Sequence, residues 1–137
     1  MSVDGVFFDS NVLVYLTDTE SGKAEQTEDL LAAGGTISVQ VLNEFANVAI
    51  RKVRLSWVET RDFLDVFRAT LKIVPLTLET HERGLALAER YQLSVHDGTI
   101  IAAAQLAGCA TLYSEDMRDD LVIDGLTLRN PYAAGGK

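Results

Sequence analysis

Four carboxylates stand where acid chemistry would be useful. Asp9 closes the apolar run Val6-Phe7-Phe8, and Ser114-Glu115-Asp116 follows the strand-like run Ala110-Thr111-Leu112-Tyr113. Glu44 lies six residues past Ser38, and Asp97 lies three past Ser94. Brought within a few ångströms of one another, four such groups would repel, and would either raise one another's pKa or attract a cation. All-oxygen ligation selects hard divalent ions, Mg2+ or Mn2+, over zinc. An ion held by carboxylates with its waters in place can neutralise a phosphodiester, acidify an attacking water and stabilise the leaving oxygen. That is the equipment of a metal-dependent nuclease, and it needs no histidine. Asn11, two residues after Asp9, has an amide able to orient a carboxylate or a bound water, and Ser114 stands at the other strand end as a second supporting group.

Each acid also has a structural explanation. Asp9 can cap a helix, Asp97 completes a capping box with Ser94, Glu44 can sit on a wet helix face and Asp116 can belong to a turn. Capping by Asp97 does not exclude ligation. For Glu44 the neighbours favour function: Asn43, Glu44, Asn47 and Arg51 share one polar side opposite Leu42, Phe45, Ala46 and Ala49. Other side chains offer little competition. His81 reads as a surface residue, His96 points about 100° away from Asp97 on a helix and reads as structural, and the single cysteine, Cys109, lies in an apolar setting suited to packing. There is no Cys/His cluster for zinc, no nucleophile elbow and no phosphate-cradling glycine loop.

To meet, these acids need a scaffold that brings distant segments to one edge. The 137 residues fit a single domain over 1–132 with a frayed tail at 133–137, and 47% hydrophobic content supplies its core. No apolar run approaches the roughly 20 residues of a membrane span, and the first residues lack the basic region of a secretory signal. With one cysteine and hence no internal disulfide, the expected compartment is the cytoplasm. Strands are expected at 3–8, 36–39, 73–76, 110–113 and 126–128. Helices are expected after Asp9, at 23–33, through 42–49, from the Ser56/Glu59 capping box, at 79–91 and at 95–107. In the helix after Ser56, Trp57, Leu64, Phe67 and Leu71 are expected to share a face. Short strands alternating with helices imply crossover connections, a mostly parallel sheet of four to five strands and a three-layer α/β/α sandwich. Ligands in such sheets bind beyond the carboxyl ends of the strands.

The net charge of −8 conceals an asymmetry: residues 1–50 carry −7, 51–72 carry +3 and 73–137 carry −4. The basic stretch, with Arg51, Arg54, Arg61 and Arg68, is either a positive patch able to bind nucleic acid or a solvated helix face with pairs such as Arg61 and Asp65. Arg51, seven residues past Glu44 on the same expected face, is best placed to reach a neighbouring phosphate.

Taken in order, five segments resemble the PIN domains, particularly VapC-type toxins of toxin–antitoxin pairs. They are Phe7-Phe8-Asp9-Ser10-Asn11-Val12-Leu13-Val14-Tyr15, Ser38-Val39-Gln40-Val41-Leu42-Asn43-Glu44-Phe45, Ser94-Val95-His96-Asp97-Gly98-Thr99-Ile100-Ile101-Ala102-Ala103-Ala104, Leu112-Tyr113-Ser114-Glu115-Asp116-Met117 and Leu128-Arg129-Asn130-Pro131-Tyr132. The resemblance implies a Mg2+- or Mn2+-dependent ribonuclease, acidic site residues at Asp9, Glu44, Asp97 and Asp116, a cognate antitoxin and a tendency to dimerise. Two departures stand out. Gly98 replaces the Ala of many relatives, which is expected to loosen the helix start, and Asp119 and Asp120 follow the fourth acid closely enough to compete with Asp116 for its role. Two rivals belong to other classes. A haloacid-dehalogenase-type phosphatase would use Asp9 as nucleophile, but has Asn11 where its general acid should be. A non-catalytic receiver-like or binding domain would need an acceptor Asp after a central strand, where Gln40 and Thr77 stand instead.

Overall fold

The computed structural model describes residues 5–132, so the expected tail at 133–137 and the first two residues of the expected first strand lie outside the described residues. Strands β1 (Gly5–Phe8), β2 (Thr36–Ser38), β3 (Lys72–Val74), β4 (Cys109–Tyr113), β5 (Val122–Ile123) and β6 (Leu126–Arg129) form one sheet in the order β3-β2-β1-β4-β6-β5. All pairings are parallel except β5 with β6. The sheet therefore has six strands, one more than the sequence pattern suggests. The extra strand is a hairpin: Ile123-Asp124-Gly125-Leu126 turns through two residues with positive φ, 49° and 87°, as a two-residue Asp-Gly turn requires.

Phe7 and Phe8 are both wholly buried. Consecutive strand residues face opposite sides of a sheet, so both faces of β1 are covered, which is the expected three-layer arrangement. The covering helices are α1 (Ser10–Val14) with a 3-10 turn at Tyr15–Thr17, α2 (Lys23–Ala32), α3 (Val39–Val48), α4 (Trp57–Thr70), α5 (Leu78–Tyr91) and α6 (Val95–Leu106). Among the described residues no helix is long and apolar enough to cross a membrane.

Local chemistry explains most boundaries. Ser38 and Ser94 cap α3 and α6, and Ser56 and Glu59 form the expected reciprocal box at α4. After α2 the chain leaves through Gly34 at φ 89°, a left-handed position that glycine adopts without penalty. Phe67 on α4 and Leu71 at its C-terminal cap are buried, and Phe67 meets Phe45 edge-on at 4.9 Å between centroids. Trp57 does not join them. It is 65% exposed because it occupies the first helical position, beyond the end of the core that its face would otherwise cover. The chain closes on its own beginning: Tyr132 packs edge-on against Tyr15 at 4.7 Å, and its hydroxyl bonds the buried Thr27 and donates to the Val12 carbonyl.

Gly98 corrects an expectation. A methyl group there would lie 2.3 Å from the Gly84 carbonyl oxygen, and one at Gly84 would lie 2.7 Å from Thr99 Cα. The two glycines let the α5 and α6 backbones approach closely, so Gly98 is a packing requirement rather than a loosened helix start. Gly98→Ala is expected to destabilise the protein by about 1–3 kcal/mol through overpacking, although the same change at an exposed helix position stabilises by about 0.5–1 kcal/mol. A lower urea midpoint at unchanged slope is the expected result; a raised midpoint would show that the helices separate without cost.

Candidate active site

The chain builds outward from β1 to β2 and β3, then returns past β1 to place β4 on its other side. The order thus reverses between the carboxyl ends of β1 and β4, the place where open α/β sheets leave a crevice. Asp9 stands there in extended conformation, 3% exposed, its N–H donating to the Tyr113 carbonyl. One carboxylate oxygen accepts from Ser10 N–H at 2.7 Å; the other accepts from Ser114 Oγ at 2.9 Å and Asn11 Nδ2 at 3.4 Å. Asn11 also donates to Ser114 Oγ and accepts from Glu115 N–H. Asn11 and Ser114 thus fix Asp9 and join the two strand ends.

The other three acids arrive on separate elements. Asp97 sits in the first turn of α6, where Ser94 Oγ accepts its backbone N–H at 3.0 Å. Only this half of the expected capping box forms. Asp97, Glu44 of α3 and Asp116 of the loop after β4 line one cavity of about 440 Å³ together with Asp9. Burial pushes the Asp9 carboxyl above its usual range, against the lowering effect of the Ser114 and Ser10 bonds. Asp97 is also raised, chiefly by burial and further by the Asp116 charge, with His96 opposing. Among the described residues no three His, Cys, Asp or Glu side chains form a ready-made metal cage. The acids share a cavity without closing into a complete ligand set. Asp119 and Asp120 are engaged elsewhere: Asp119 accepts from Asn130 N–H and Asp120 pairs with Arg129.

Three groups not expected at the site also line it. His96 does not point away: its Nδ1 accepts from Gln40 Nε2 at 2.7 Å and lies 3.9 Å from Glu44 Oε2, since a residue at the start of a helix can face the neighbouring α3. Tyr15 donates to Glu115 at 2.7 Å, with Lys23 3.4 Å from the same carboxylate and 4.5 Å above the Tyr15 ring. Lys52 takes the place expected of Arg51. The cause is a π-helical turn at Ala49–Val53 that continues α3. Its wider turns advance each residue by less than 100°, which carries Lys52 onto the Glu44 side and Arg51 off it. Arg51 and Arg54 instead line a separate groove with Asn43, Asn47 and Trp57. Arg61 is exposed on α4, and Asp65 pairs with Arg68 rather than with Arg61.

An open, mostly parallel sheet with an acidic cavity at its switch point defines a class of α/β proteins, and the family comparison is specific within it. The chain belongs to the PIN domain family, whose model matches residues 6–121. A toxin–antitoxin complex from Klebsiella pneumoniae is 25% identical, covering 93% of this chain and 98% of that one at a TM-score of 0.70. VapC20 of Mycobacterium tuberculosis, a sarcin-ricin loop cleaving toxin, is 16% identical over 82% and 90% of the two chains at a TM-score of 0.69. VapBC2 from Rickettsia felis, bound to a DNA fragment from its promoter, is 22% identical over 91% and 97% at a TM-score of 0.65. The fold is that of the VapC toxins of toxin–antitoxin pairs. No curated protein sequence matches the chain.

The raised carboxyls carry a stability signature in the metal-free protein. Asp9 and Asp97 bind protons more tightly folded than unfolded, so their contribution to stability is fully present below the unfolded value and is lost as pH rises through the native one. In chelator, the stability of the wild type relative to Asp9→Asn is expected to decline as pH rises above about 4. Urea titrations at successive pH values measure both; parallel curves would mean that Asp9 ionises without penalty.

Proposed function

We propose that the protein is a Mg2+- or Mn2+-dependent ribonuclease that hydrolyses phosphodiester bonds, and the toxin of a toxin–antitoxin pair. The carrying observation is that carboxylates from four separate segments, Asp9, Glu44, Asp97 and Asp116, line one cavity at the switch point. Their chemistry fits the ion. The donors are all oxygen, two of the acids are held above their usual range chiefly by burial, a cost that a bound cation would offset, and Mg2+ takes only one or two protein carboxylates while keeping several waters. Asp9 and Asp97 are the principal ligands in this reading, with Glu44 and Asp116 assisting directly or through water. The bound ion would supply charge neutralisation at the scissile phosphate and an acidified water.

The chain's own groups divide the remaining work. Ser10 N–H, Ser114 and Asn11 hold the Asp9 carboxylate in one orientation, which pre-organises the site before substrate arrives. Lys52, on the cavity wall, offers an ammonium to a non-bridging phosphate oxygen, and His96, bonded by Gln40, ties the start of α6 to α3 beside Glu44. The phosphatase alternative is weakened by Asn11, an amide where that chemistry needs a general acid, and one already engaged by Asp9, Ser114 and the Glu115 N–H. RNA as substrate class and pairing with an antitoxin draw support from the relatives, of which one is a sarcin-ricin loop cleaving toxin and another a toxin–antitoxin complex. Homodimerisation belongs to the same reading.

Cleavage of a mixed-sequence RNA pool is expected in Mg2+ or Mn2+ and to stop in EDTA. Asp9→Asn and Asp97→Asn should each lower the rate by about 100-fold or more, the scale on which loss of a metal-site group acts, with unchanged circular dichroism. Cleavage by Asp9→Asn at the wild-type rate, or undiminished cleavage in EDTA, would overturn the reading.

A further inference from the structure

We infer that the groove between α3 and the start of α4 is a second nucleotide-binding site, which takes a base and phosphate of single-stranded RNA flanking the scissile bond. The inference rests on the ribonuclease reading and extends it to substrate recognition. The groove has a volume of about 660 Å³ and is lined by Asn43, Asn47, Ile50, Arg51, Arg54 and Trp57. Trp57 is the only tryptophan in the chain, is 65% exposed, and among the described residues stacks on no other ring. An open indole face next to arginines is the combination that holds single-stranded nucleic acid, by stacking on the base and charge on the backbone.

The cations are positioned for this. Arg51 Nε donates to Asn47 Oδ1 at 3.1 Å, which steadies the guanidinium and leaves its terminal nitrogens for an anion. Neither Arg51 nor Arg54 pairs with a carboxylate among the described residues. Arg54 holds a left-handed backbone, φ 70°, where the π-helical turn ends. Asn43 and Asn47 add amides that can both donate and accept, as base edges demand. The same helix forms the wall of both sites: Glu44, Val48 and Lys52 line the acidic cavity, and Asn43, Asn47 and Arg51 line the groove. A strand crossing that wall meets Lys52 and the acids on one side and Trp57 on the other. In a chain of net charge −8, this is how a polyanion can be held next to an acidic centre.

The lone tryptophan makes the test direct. A short mixed-sequence single-stranded RNA is titrated into full-length Asp9→Asn protein in EDTA, with binding followed by anisotropy of a labelled end and by Trp57 emission. Emission should be quenched in step with anisotropy. Introducing Trp57→Ala into the same background should weaken binding by about 5- to 150-fold, the measured range for one base–aromatic stack. Arg51→Ala or Arg54→Ala should lower the slope of log K against log[salt] by about 0.7 for each phosphate contact removed. RNA that binds, and is cut by the wild type, while Trp57 emission and all three variants' affinities stay unchanged would overturn this site alone. RNA neither bound nor cut would overturn the ribonuclease reading and the site together. Emission that responds to a co-purified protein but not to saturating RNA would make the groove a protein-docking face and overturn the proposal.

Discussion

Burying an ionisable carboxylate between two parallel strand ends costs several kcal/mol unless its oxygens find donors, and much of this structure serves to meet that requirement for Asp9. The Ser10 N–H comes from the helix that Asp9 itself starts, so the β1–α1 junction supplies the first donor. The remaining donors are Ser114, from the end of β4, and the Asn11 amide, which Ser114 and Glu115 N–H also engage. Register between the two central strands is consequently tied to the site. A slip of one residue would turn Phe7 and Phe8 over and would also remove Ser114 from Asp9.

Asp97 and Glu44 are placed chiefly by the packing of their helices, and Asp116 by its N–H bond to Ser114 Oγ. Asp97 stands where it does because α6 lies against α5 at glycine distance, with Gly84 and Gly98 admitting each other's backbone. Glu44 is carried by α3, whose apolar side is fixed by Val41 and Phe45 in the core. The acidic cavity is therefore a by-product of three independent contacts, namely strand pairing, helix–helix approach and helix–sheet packing. Rigid elements on every side keep the carboxylates out of water, and this burial, with a smaller contribution from neighbouring charge, raises Asp9 and Asp97.

The four acids were legible in the sequence because strand ends and cap residues announce themselves. Apolar runs stop at Asp9 and near Asp116, Ser94 marks a helix start whose first turn carries Asp97, and Glu44 stands among Asn43, Asn47 and Arg51 opposite an apolar face. Capping boxes and glycine stops were readable for the same reason, being local. What escaped depends on helix phase or on distant neighbours. The π-helical turn after α3 exchanges Arg51 for Lys52, and nothing in Ala49-Ile50-Arg51-Lys52-Val53 signals it. Gly98 could be understood only with Gly84 across from it, and the role of His96 only with Gln40 and Glu44. The β5–β6 hairpin did carry a signal, Asp124-Gly125 between apolar residues, but β5 is two residues long and gives no periodicity to read.

The 105-residue separation between Asp9 and Ser114 has a meaning in time as well as in space. A ribosome adding 5–20 residues per second needs roughly 5–20 s to pass from the first partner to the second. During that interval β1 has no β4 beside it, the carboxylate lacks its hydroxyl donor, and Asp116 does not yet exist. The catalytic assembly proposed for this chain thus waits on the second partner, 105 residues after the first. A nascent chain that has not yet reached Ser114 and Asp116 carries fragments of an acidic site and no complete one, so the topology itself delays the proposed chemistry until β4 and the loop after it have been made.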